Sequence, residues 1–142
     1  ASDHLSLEAI VKLACEVGGE DHHFKAVQLP VNMAMPEAFA RPTQMWKYEM
    51  RTLLQAAVDQ GITVFGSASL LQSRLASDLP EEVRRRLPGC HTDAQRALQF
   101  ARSLPGVTAA LVGMSSVEHV RENLGLAALP PLNATAVAGI LR

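Results

Sequence analysis

Apolar residues along this chain recur with two alternating patterns, a helical period and short β-branched runs, and the alternation comes round three times. Leu7 to Val17 reads as an amphipathic helix capped by Ser6, with Ile10, Leu13, Ala14 and Val17 on one face and Gly18-Gly19 as its stop. The run AVQLPV, near 26–31, is apolar enough for a parallel strand buried on two faces, although Pro30 argues against a long central one. Residues 33–44 read as a loop rich in Met, Ala and Pro. A second helix is predicted from Gln44 to Gln60, with Trp46, Met50, Leu53, Leu54 and Ala57 facing inward, Tyr48 within it and Gly61 ending it. The second strand is ITVF, near 62–66. A long connection with a charged helical patch, Glu81 to Arg86, then leads to Thr92-x-x-Gln95, a capping box for a third helix, RALQFARSL. Pro105-Gly106 turns that helix into a third strand, near 107–112, and GMSSVEHVRENL opens another helix. Past Pro130-Pro131, Asn133 caps a small apolar helix to Leu141.

This order of elements predicts an α/β chain with a parallel sheet covered by helices, in a single domain over 1–142. Composition narrows the partners. A formal net charge of −1 leaves no electrostatic footprint for nucleic acid or an anionic membrane surface. No run of about 18 apolar residues is present to span a bilayer. The start, ASDHLSLEAI, lacks the basic and apolar regions of a signal peptide, so a cytoplasmic location is expected.

Most polar residues that attract notice have ordinary readings. Cys15 and Cys90 do not make a disulfide framework; Cys15 reads as core packing and Cys90 as a loop thiol. His22 and His23 are adjacent, which keeps their side chains from converging on one metal, and no structural-zinc spacing accompanies them. Ser67 and Ser69 do not stand in a G-x-S-x-G elbow. Arg102 and Arg121 read as solvated helix charges.

One segment carries more. Gly113 permits a sharp turn after the third strand, and Ser115 with Glu118 forms a capping box whose first-turn N–H groups can attract an anion. Taken alone, such a box is an ordinary surface cap. Here Ser115, His119, Glu122 and Asn123 follow at helical intervals and can share one face of the first two turns.

The string Gly113-Met114-Ser115-Ser116-x-Glu118-His119-x-x-Glu122-Asn123, preceded by Val107 to Val112, resembles the segment of the aldo/keto reductase family that grips the adenosine 2′-phosphate and adenine of NADPH. FKAVQLPVNMAMPEA is similar to that family's sixth barrel strand and its loop, GITVFGSASLLQSRL to the seventh strand and its loop, and DAQRALQFARSLPGVTAALVGMSS to the seventh helix and eighth strand. The resemblance covers most of 5–126 and implies a partial (half) TIM-type βα barrel of about three parallel strands with four to five helices. A complete barrel takes about 250 residues. The family's catalytic Asp, Tyr, Lys and His belong to its first four strands, and no residue here matches them; Tyr48 does not stand in for the catalytic tyrosine.

By the same resemblance the cofactor is NADPH, held by Gly113, Met114, Ser115, Ser116, His119, Glu122 and Asn123, with Leu70 near the pyrophosphate and ribose and Gln28 near the nicotinamide. Ala68-Ser69-Leu70 stands where the family has Ser-Pro-Leu, and Ser67 where many members stack an aromatic on the nicotinamide. His119 replaces a Gln or Arg, so its phosphate affinity is expected to fall as pH rises past about 6.5, where histidines lose their charge. Whole members reduce carbonyls by hydride transfer from NADPH; this chain is expected to be inactive alone. Three strands leave two open edges, so a homo-oligomer, a swapped dimer or a complementing N-terminal half is the expected partner. The alternative is a non-catalytic structural or assembly half-barrel.

Overall fold

The structure, a computed structural model, describes residues 5–141. The expectation drawn from ASDH at the start therefore lies outside the described residues. Helix α1 (Leu7–Gly18) forms where Ser6 Oγ accepts from Ala9 N. Its buried face differs from the expected one. Leu7 and Val11 pack on the core, whereas Leu13 and Val17 remain 59% and 83% exposed. Cys15, expected in the core, is exposed as well. Helix α1 carries more apolar surface than its neighbours among the described residues cover.

Strand β1 (Ala26–Pro30) leads through Val31 and Asn32, both fully buried, to a short helix α2 (Glu37–Ala40). The helix expected over 44–60 is not one helix. An antiparallel hairpin, β2 (Pro42–Trp46) and β3 (Glu49–Thr52), precedes helix α3 (Leu53–Asp59). The reason is local: Thr52 Oγ1 accepts from Gln55 N while Gln55 Oε1 accepts from Thr52 N, a complete capping box that starts the helix at Leu53. Upstream, the amide of buried Gln44 bonds Leu7 N and Leu5 O, fastening β2 to the start of α1. Tyr48 lies in the hairpin turn, fully exposed, and Met50 is half exposed. Leu54 and Ala57 do reach the core.

Strand β4 (Thr63–Ser67) and, after the expected helix α4 (Glu81–Arg86) and α5 (Asp93–Ser103), strand β5 (Ala109–Ala110) complete a parallel sheet in the order β1-β4-β5. Ala26 pairs with Thr63 through to Pro30 with Ser67, and Phe65 and Gly66 pair with Ala109 and Ala110. The third strand is shorter than the expected 107–112, yet Thr108 N to Val64 O and Leu111 N to Gly66 O extend the contact at both ends. Pro30 sits at the end of an edge strand, where its missing N–H costs no ladder bond. Helix α6 (Val117–Leu124), a 3-10 turn (Gly125–Ala128) and α7 (Ala134–Ile140), capped by Asn133, finish the chain.

The core lies between the sheet and its helices, built on Leu54, Val64, Phe100, Leu104 and Val137. Burial of each such side chain contributes about 1.5–3 kcal/mol. Gly106 closes the α5–β5 turn at φ +95°, and a Cβ there would lie 3.0 Å from Leu54 O. Among the described residues no helix is long and apolar enough to cross a membrane, and no group of three His, Cys, Asp or Glu side chains could hold a metal ion. His22 is half-buried, its Cβ against Gly18.

Candidate functional site

Parallel pairing brings the carboxyl ends of β4 and β5 to one edge of the sheet, so the loops that follow them meet. The loop after β4 holds Ala68, Leu71, Gln72 and Ser73 at positive φ, a conformation that costs a non-glycine residue about 1–2 kcal/mol. Buried side chains hold it there. Ser69 Oγ donates to Leu111 O at 2.9 Å, joining the two loops, and Asn32 Nδ2 donates to Ala68 O at 2.9 Å. Ser69 is 1% exposed with its hydrogen engaged by backbone, a structural role and not a nucleophile's.

Between these loops and the first two turns of α6 lies a cavity of about 470 Å³. Leu70, Gly113, Met114, Ser115, His119, Glu122 and Asn123 line it, together with Ser73, Ala76 and Ala94, which sequence reasoning did not single out. A second hollow of about 250 Å³ shares Leu70, Ser73 and Gly113 and continues along Ala68 and Leu111. Two expected site residues do not join the cavity lining. Gln28 is exposed on edge strand β1, paired with Phe65. Ser116 is the helix cap: its Oγ accepts from His119 N at 3.2 Å.

The cap therefore falls one residue later than the expected Ser115–Glu118 box. Ser115 is released toward the cavity, its Oγ 3.4 Å from His119 Nδ1. Glu118 folds back on its own backbone N–H and the Ser116 hydroxyl, which hold its carboxyl below the ordinary range. A carboxylate thus occupies part of the helix start that was expected to stay open to an anion. Among the described residues His119 is the one basic side chain of the lining, and Glu122 the one acid.

Helix α5 supports this wall through a row of polar side chains at helical spacing. Thr92 Oγ1 accepts from Gln95 N and donates to Glu122 Oε1. Gln95 does not complete the expected box; its Oε1 accepts from His91 N and its Nε2 donates to Glu122 O at 2.7 Å. Further along, Gln99 Nε2 donates to Pro130 O, and Ser103 Oγ accepts from Leu132 N. Arg102, expected to be a solvated charge, donates to Leu126 O, Leu129 O and Gln99 Oε1. Arg121 is exposed as expected. The signal for this row was present as 92, 95, 99, 102 and 103, one stripe of a 3.6-residue helix. At the helix start, Asp93 accepts from Leu79 N, Arg84 and Arg96. Cys90, expected as an unremarkable loop thiol, is buried in the core, and that burial pushes its thiol up against the lowering influence of Arg96 and Arg102.

No family model matches the chain, and no curated protein sequence does. Solved structures do. The aldo-keto reductase AKR11C1 from Bacillus halodurans, in its holo form, matches at a TM-score of 0.61 and 15% identity, over 94% of this chain and 46% of that one. Its apo form matches at 0.60 and 16%, over 92% and 46%. A thermostable aldo-keto reductase, Tm1743, in complex with the inhibitor epalrestat, matches at 0.61 and 20%, over 94% and 44%. The chain spans less than half the length of these structures. At such identity the likeness is one of fold: the chain is similar to part of an aldo-keto reductase βα barrel, with three parallel strands in one sheet.

Proposed function

We propose that the chain is the C-terminal half of an NADPH-binding aldo/keto-reductase-type barrel, and that its cavity takes the adenosine 2′-phosphate end of the cofactor. The observation that supports this reading is the convergence of Leu70, from the loop after β4, and Gly113, Met114, Ser115, His119, Glu122 and Asn123, from the loop after β5 and the start of α6, on one cavity. Their chemistry fits such a ligand. The Ser115 hydroxyl and a protonated His119 are donors suited to a phosphate, while Glu122 and Asn123, one turn further on, suit the edge of a purine. Bound NADPH supplies a hydride for reduction of a carbonyl; this chain's own part is to bind and orient, and no residue in it is assigned a proton-donor role. Gln28, exposed on β1, is left without a nicotinamide contact in this reading.

Calorimetric titration with NADPH beside NADH tests the proposal. Saturable binding that favours NADPH is the expected result. Equal affinity for the two cofactors, or none at millimolar concentration, would refute it. An assembly role is the second reading, favoured by the uncovered Leu13 and Val17 of α1 and the free edge of β1.

A further inference from the structure

We propose that Thr92 and Gln95, at the start of α5, are positioning residues for this cavity: they fix Glu122, and with it the face of α6 that carries His119 and Asn123. The proposal rests on the cofactor reading above.

Glu122 is held twice by α5, once by its side chain and once by its backbone. The Thr92 hydroxyl has one hydrogen and two lone pairs; it accepts from Gln95 N and gives its hydrogen to Glu122 Oε1. Gln95 is 6% exposed and engaged at both ends of its amide, taking His91 N at 2.8 Å and giving to Glu122 O at 2.7 Å. That carbonyl belongs to the last turn of α6, just before the chain tightens into the 3-10 turn Gly125–Ala128. Gly125 keeps the arrangement close: a Cβ at that position would stand 3.2 Å from Gln95 Nε2. Thr92 and Gln95 do not line the cavity themselves, so they act through the placement of Glu122, His119 and Asn123. A displacement of about 1 Å in such a wall is enough to impair binding geometry.

Capping and positioning by Thr92 can be separated. Thr92→Asp keeps an acceptor for Gln95 N but has no hydrogen to offer and repels Glu122; Thr92→Asn keeps the cap and offers an amide donor. With 2′,5′-ADP as the calorimetric probe, Thr92→Asp is expected to weaken binding about tenfold at a near-unchanged melting temperature, and Thr92→Asn to stay within about twofold of the parent. Parent-like binding by Thr92→Asp would overturn the proposal. If the parent itself does not bind 2′,5′-ADP, the cofactor reading fails on its own, and amide hydrogen exchange decides the positioning. In Thr92→Asp, Val120 to Leu124 should then exchange about tenfold faster while Ala97 to Ala101 keep their protection. Equal exchange in α6 of parent and variant would overturn it.

Discussion

Asp93 gathers an N–H from Leu79 and the guanidinium groups of Arg84 and Arg96, and it is 7% exposed. The Arg84 hydrogen bond is the chief reason that its carboxyl sits below the ordinary range, opposed by desolvation and aided by Leu79 N–H and Arg96. Asp93→Asn is expected to cost about 2 kcal/mol at pH 7, less than a fully buried pair because the Arg84 side chain is 40% exposed. The sign with pH follows from the depressed value in the folded state. The contribution is complete above the unfolded carboxyl's value of about 3.9 and is lost as pH falls through the folded one. Urea unfolding of parent and variant should show a gap at pH 7 that closes toward pH 2; a gap of constant size would contradict this role for Asp93. Side chains of this kind were poorly legible in sequence. Asp93, Gln95, Gln99 and Arg102 look like a solvated helix face; Leu79 and Arg84, packed against Asp93, and segment 122–132, folded over the other three, turn them into internal bonds. Ser115, His119, Glu122 and Asn123 were legible because their joint orientation depends on helical spacing alone.

At the scale of elements, periodicity located α1, α4, α5, α6 and α7 and all three parallel strands, since each is a local run with its own start and stop residues. The hairpin β2–β3 escaped because residues 46, 50, 53, 54 and 57 also satisfy a helical period. Thr52-x-x-Gln55 marked the true helix start, by the same signature that Thr92-x-x-Gln95 displays. The hairpin turn itself is built from Lys47 and Tyr48 at φ 47° and 68°, although Asn-Gly is the pair suited to two consecutive positive φ values. Lys47→Asn with Tyr48→Gly should therefore stabilise the chain by about 1 kcal/mol, after losing the Lys47–Trp46 contact of 5.3 Å. A lowered urea midpoint would show that the turn is not conformationally limiting.

For the whole molecule, the uncovered surface is the main consequence of having three parallel strands. Among the described residues strand β1 pairs on one side only, and Leu13 and Val17 of α1, Met45 and Met50 of the hairpin and Val117 and Leu124 of α6 are all exposed. The chain is expected to self-associate or to bind a complementing barrel half through such surfaces. Sedimentation velocity should show species larger than 15.3 kDa, shifted toward monomer by Leu13→Glu with Val17→Lys. A single monomer that binds no apolar dye would count against this expectation.

By itself the sequence determined that helices alternate with three strands, that those three strands run parallel in one sheet, and which residues of α6 share a face. Those properties depend on local periodicity, capping and the alternation of elements. Only the tertiary structure decided that α1 turns Leu7 and Val11 inward and leaves Leu13 outside, that Gln28 lies apart from the cavity while Ala94 lines it, and that Arg102 holds the carbonyls of Leu126 and Leu129. These outcomes depend on which distant segment comes to lie beside each residue. The polar stripe of α5 shows in the sequence, but a hydrogen bond across 20 or more positions does not name its partner in either residue alone.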